Sequence, residues 1–195
     1  MGTLPWYIAR ASGLVAWGLL SASVIWGLAL STRALGRQPR PAWLLDLHRY
    51  LGGLATIFTG VHIAAIVADS YVHFDVVSVL VPGASSWRPV AVAWGVVGLY
   101  LLLAVELTSL ARSKLPRKVW RMTHAAAFPL FVVATIHLLT AGSDAGARLT
   151  QATVTAVVGA VTGLTVYRVI GLDRRTGGGR GRNPSSIAPS SSLAA

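Results

Sequence analysis

LHRYLGGLATIFTGVH, residues 47–62, places His48 and His62 fourteen residues apart in a run otherwise suited to lipid. Apart from the imidazoles and Arg49, nothing in it resists burial in hydrocarbon. A histidine inside a membrane span is costly, so it is read first as a functional group. The stretch therefore poses two questions: whether the chain crosses a membrane, and what the imidazoles meet there.

The remainder of the chain answers the first. Of its 195 residues, 54% are hydrophobic and only 12% charged, with a mean hydropathy of +0.62. Soluble domains carry roughly 25% charge. Five stretches, about 6–30, 47–68, 89–110, 119–141 and 149–170, are long and apolar enough to cross a hydrocarbon core of roughly 30 Å. The expected architecture is an all-α integral membrane protein, a five-helix transmembrane bundle in a multi-pass cell membrane protein. Residues 1–172 form the membrane domain. Residues 173–195, rich in Gly, Ser and Pro, are expected to form a disordered basic tail.

The net charge of +11 does not point to nucleic acid, because the basic residues lie between and after the apolar runs. Arg33, Arg37 and Arg40 follow the first span. Arg112, Lys114, Arg117, Lys118 and Arg121 follow the third, and Arg174, Arg175, Arg180 and Arg182 follow the fifth. The remaining loops hold Asp69, Asp75 and Asp144. Lys and Arg mark the cytoplasmic side, which puts the N-terminus outside and the C-terminus in the cytoplasm. A signal peptide has its basic residues ahead of its apolar run; here they follow it, so the first span is expected to be retained. The absence of cysteine removes disulfides, thiolate metal sites and iron–sulfur clusters.

Spans two and four run parallel, and each carries two histidines: His48 and His62, His124 and His137. The separations of fourteen and thirteen residues correspond to roughly 21 and 20 Å of helix rise. Two imidazole pairs thus fall at matching depths, one in each leaflet. Facing helices of a bundle hold cofactors, and two imidazoles across a gap supply both axial ligands of a haem. Structural zinc needs four ligands about one point, and no carboxylate, thiol or methionine accompanies either pair for copper. A single such histidine would more simply join two helices or line a pore. On span two, Gly52, Ala55 and Thr59 share a face with the histidines and leave room for a flat ligand. Span four fits less cleanly. Thirteen residues of straight helix turn His137 by roughly 140° from His124, and Pro129 between them interrupts the helix.

LHRYLGG…GVH and VWRMTH…IHLLTAG together resemble the ferric reductase-like transmembrane domain, the superfamily of ferric reductases, NADPH oxidases and the haem subunit of methionine-sulfoxide reductase. WYIARASGLVAWGLL and DSYVHFDVVSVLVPGASSWRPVAVAWG are similar to small, stand-alone actinobacterial members. The resemblance covers residues 5 to about 170. It implies two b-type haems, with His48 and His124 as axial ligands inside and His62 and His137 outside. It further implies electron transfer from the cytoplasmic to the outer side, as a ferric reductase-like oxidoreductase or its haem subunit. The larger members continue into a flavin and nicotinamide domain. Here the resemblance implies a separate flavoprotein or quinol as donor, with membrane lipid as the other partner.

Haem carboxylates in lipid require cationic partners. Arg49, Arg117 and Arg121 are candidates at the inner haem; Arg10, Arg88 and Arg148 are candidates at the outer one. Glu106 lies inside span three, where a salt bridge to Arg49 or Arg121, or proton exchange at a quinone pocket, are its two expected roles. Asp69, Tyr71, His73 and Asp75 in the outer loop form a conceivable landing site for ferric iron, against the plainer reading of a solvated loop. Phe131 lies midway between the span-four histidines, either between the haems or as a core aromatic. Two rival functions stand beside the first: a quinol-oxidising haem b subunit, and a haem-free helical transporter or scaffold.

Overall fold

The computed structural model describes residues 3–32, 42–70 and 74–177. They form α1 (Thr3–Thr32), α2 (Ala42–Ala68), α3 (Val76–Leu80), α4 (Pro89–Leu110), a 3-10 turn (Arg112–Lys114), α5 (Arg117–Ala125), α6 (Ala127–Ala141) and α7 (Arg148–Gly177). Among the described residues there is no strand. Five segments are long and apolar enough to cross a membrane: Leu4–Thr32, Ala42–Ala68, Pro89–Leu110, Arg117–Ala141 and Arg148–Ile170. The protein is an all-helical, multi-pass membrane protein. The third span has the bounds expected of it. The second begins five residues earlier than expected, and α7 continues to Gly177, past the anticipated boundary at 172. The tail from 178 onward lies outside the described residues.

Local chemistry sets the helix ends. Pro89 occupies the first turn of α4, where its missing N–H is not needed. The preceding Arg88 lies in the left-handed region, with φ 42°. Asp75 caps α3, its carboxylate accepting from the Ser78 amide at 2.8 Å and hydroxyl at 2.6 Å. These bonds hold the Asp75 carboxyl below the usual carboxylate range.

The fourth span is two helices. Pro129 offers no N–H to the carbonyl of Ala125 and presses on it, and the helix breaks at that point. Ala126 turns tightly, its amide bonding to the Thr123 carbonyl at 3.0 Å, before Leu130 resumes α-helical bonding to Ala126 at 2.9 Å.

Helices α1 and α2 form one closely packed hairpin, and α4 with α5 and α6 forms another. Trp26 Nε1 donates to the Leu44 carbonyl at 2.8 Å within the first hairpin. Trp17 Nε1 donates to Thr135 Oγ1 at 3.1 Å, joining α1 to α6. The core lies among α1, α6 and α7, where Val24, Leu28, Phe131 and Val161 pack together. Phe131 is therefore a core aromatic. By contrast, α2 meets the second hairpin only thinly, and across that seam the histidines of α2 face those of α5 and α6. Large apolar residues on the outer surface, such as Ile57, Val90, Leu107 and Leu149, remain exposed, as a lipid-facing bundle requires.

Candidate functional site

The structure brings the four intramembrane histidines together as two facing pairs. His48 and His124 have ring centres 5.9 Å apart at an interplanar angle of 80°. His62 and His137 have centres 6.4 Å apart at 82°. The first pair lies toward the end carrying Arg112–Arg121, the basic end; the second lies toward the far end. The thirteen-residue spacing is no obstacle: on either side of the break at Ala126, His124 and His137 each face a histidine of α2. Two imidazoles ligating one metal from opposite sides, at about 2 Å each, place their ring centres about 6 Å apart.

Each Nδ1 has a partner on the neighbouring helix of its own hairpin. His62 Nδ1 bonds the Ala9 carbonyl on α1 at 2.7 Å, and His137 Nδ1 bonds the Ala91 carbonyl on α4 at 2.8 Å. A carbonyl only accepts, so these Nδ1 atoms carry the proton and leave the Nε2 lone pairs free for a metal. His48 Nδ1 meets Ser23 Oγ on α1 at 3.2 Å, and His124 Nδ1 meets Ser109 Oγ next to the end of α4 at 3.4 Å. Such outer partners orient ligating imidazoles and tune their basicity.

Close approach is made possible by glycine. A Cβ on Gly13 would lie 2.8 Å from His62 Nδ1, and one on Gly95 would lie 2.7 Å from His137 Cε1. Gly27 stands in the same relation to His48, at a looser 3.1 Å. In all three cases the glycine follows the Nδ1 partner, or its counterpart, by four residues: Ala9–Gly13, Ser23–Gly27 and Ala91–Gly95. That small-xxx-small signal was present in the sequence, although without the fold it indicates only close helix packing. The carbonyls of Ala9 and Ala91 left no signal, because main-chain atoms are common to every residue.

A cavity of about 510 Å³ opens beside the far pair, within the usual range for ligand pockets. His62 and His137 line it, with Ala55 and Thr59 of the small-residue face expected on α2. Trp6, Arg10, Trp87, Arg88 and Asp144 also line it. Among the described residues, no cluster of three or more histidine, cysteine or acidic groups is present that would hold a bare metal ion.

The expected cations are dispersed. Arg10 pairs with Asp144 and lies over Trp6, its guanidinium carbon 5.2 Å from the ring centre. Arg88 donates to the Thr140 carbonyl at 2.9 Å. Arg148 is exposed, as are Arg117 and Arg121. Arg49 pairs with Asp46 at 3.3 Å on an exposed stretch of α2. Glu106 does not form the expected salt bridge to Arg49 or Arg121; its carboxylate lies against Gly52, whose Cβ would meet Oε2 at 3.2 Å. Of the outer-loop quartet, Tyr71 and His73 lie outside the described residues. Asp69 lines the cavity and Asp75 caps α3.

The family described as ferric reductase like transmembrane component matches residues 12–135, well over half of the chain. The match takes in three of the four histidines and ends two residues before His137. No curated protein and no solved structure matches the chain.

Proposed function

The chain belongs to the ferric reductase-like transmembrane family, and on that premise we propose that it conducts electrons across the membrane through two b-type haems. His48 and His124 hold one haem and His62 and His137 the other. The supporting observation is the facing of four histidines in two pairs, each Nδ1 engaged by a partner in its own hairpin. Bound haem supplies reversible one-electron iron chemistry. The chain's own residues fix its depth, orient the imidazoles and exclude water. Ala9 and Ala91 lock the tautomer of the far pair, and the apolar walls of the seam keep the polarity low.

The basic end is assigned to the cytoplasm, since Arg112, Lys114, Arg117, Lys118 and Arg121 cluster there. Electrons then enter from a separate cytoplasmic-side donor, a flavoprotein or quinol, and leave at the far end to ferric iron or another acceptor. Glu106 gives the quinol route specific support. It is an intramembrane carboxylate with no ionic partner among the described residues, suited to accept a proton as quinol is oxidised.

Haem content is the decisive measurement. Pyridine haemochromogen analysis of the purified membrane protein should give two haems per chain, with a sharp b-type α band on dithionite reduction. His62→Ala should lower the count to one; loss of both or neither contradicts the pairing. A colourless protein would leave the transporter or scaffold reading in its place. Reduction by a quinol analogue that fails in Glu106→Gln supports the quinol donor. Dependence on a soluble flavoprotein supports the other.

A further inference from the structure

The basic-end histidine pair has a neighbour that the far pair lacks. Trp120 lies one turn before His124 on α5, and its indole stacks on the imidazole with ring centres 5.1 Å apart at 21°. Arg112, in the turn after α4, lies over the same indole, its guanidinium carbon 4.6 Å from the ring centre. The Trp120 Nε1 atom is buried and meets no acceptor among the described residues. Arg112 likewise has no carboxylate partner there. A buried donor without an acceptor is rare enough to need a reason. Here one buried donor without an acceptor and one exposed guanidinium without a carboxylate partner share one ring beside one histidine.

The described carboxylates do not supply the missing acceptor. Asp46 pairs with Arg49 and Asp144 with Arg10. Asp75 caps α3, Asp69 lines the far cavity, and Glu106 lies against Gly52 on α2. An indole N–H only donates, and so does a guanidinium. The complementary group accepts two hydrogen bonds and carries negative charge, and a carboxylate does both.

We propose that Trp120 Nε1 and the Arg112 guanidinium together bind a propionate of the haem held by His48 and His124. The assignment rests on the haem reading above. It replaces Arg49, Arg117 and Arg121, the cations that the sequence pointed to, with one residue of the turn and one aromatic donor. The chemistry also predicts a direction. A propionate charge near iron favours the ferric state, and donors that neutralise it favour the ferrous state. Removing either donor therefore lowers the potential of the basic-end haem.

Redox titration of the haem-loaded protein in zwitterionic nanodiscs tests this, with components assigned by their loss in His62→Ala. Trp120→Phe keeps the stacked ring and loses the N–H. Arg112→Gln alters an exposed turn, and serves if the first variant does not fold. Each is expected to shift the basic-end component to lower potential and leave the far component in place. Reconstituted with haem dimethyl ester, which has no free carboxylate, both variants should match the unsubstituted chain. Wild-type potentials in both variants would overturn the assignment. So would a shift that persists with the ester, which would give the donors to another acceptor such as a lipid phosphate. A protein with no b-type spectrum would sink the haem reading itself, and this assignment with it.

Discussion

Gly95 and Gly13 work by what they lack. Each leaves the space that a methyl group would take from a histidine ring, and at 2.7 and 2.8 Å that space cannot be shared. Gly95→Ala should therefore displace His137 and cost the far haem while sparing the other. Gly18→Ala, where nothing lies within 4 Å, should keep both. Haem stoichiometry and the α band separate these outcomes, and equal loss in both variants would refute the role given to Gly95. The four intramembrane histidines were legible in the sequence because ionisable groups stand out in lipid-like runs. Their anchors were not, since half are main-chain carbonyls and the serines resemble any small packing residue. Trp120 was illegible for a related reason: an aromatic near the end of a span is ordinarily an interface anchor.

Among the elements, the fourth span carries the most information. A straight helix would have turned His124 and His137 apart, and the sequence pointed to Pro129 without showing how the chain responds. The response is a single tight turn at Ala126 between α5 and α6. Helix α6 is pinned by the Trp17–Thr135 bond and by Phe131 in the core. Helix α5 has no residue buried in the core, so Pro129→Ala, by restoring a donor to the Ala125 carbonyl, should act on α5. The expected result is a perturbed or lost basic-end haem with the far haem intact, read by low-temperature α-band spectroscopy. A variant that loses the far haem first would show that the break serves His137 instead. The five spans themselves were plain from hydropathy and length, which local composition determines. The break's geometry depends on neighbours, and composition does not report neighbours.

At the scale of the molecule, the protein is two hairpins with α7 packed against the first, and the histidines face each other across the seam between α2 and the second hairpin. That seam has little direct packing of its own. A group bound across it therefore adds contacts that the empty protein does not have. Ligand at a hundredfold excess over its Kd contributes about 2.7 kcal/mol of stability. Haem-loaded protein should accordingly melt well above haem-depleted protein in the same detergent, measured by following helix content on heating. Equal melting temperatures would mean that the hairpins hold together unaided. The all-helical membrane class was legible from composition alone, whereas the division into hairpins needed the packing. One consequence reaches into biogenesis. Each hairpin anchors its own two histidines, His48 and His62 on α1, His124 and His137 on the α4 side. Ribosome and insertase deliver them in order, so the nascent chain first presents a finished half-site with no partner across from it. On the proposed di-haem function, cofactor capture would wait on the arrival of the second hairpin, and loading would be a late checkpoint of maturation rather than an early one.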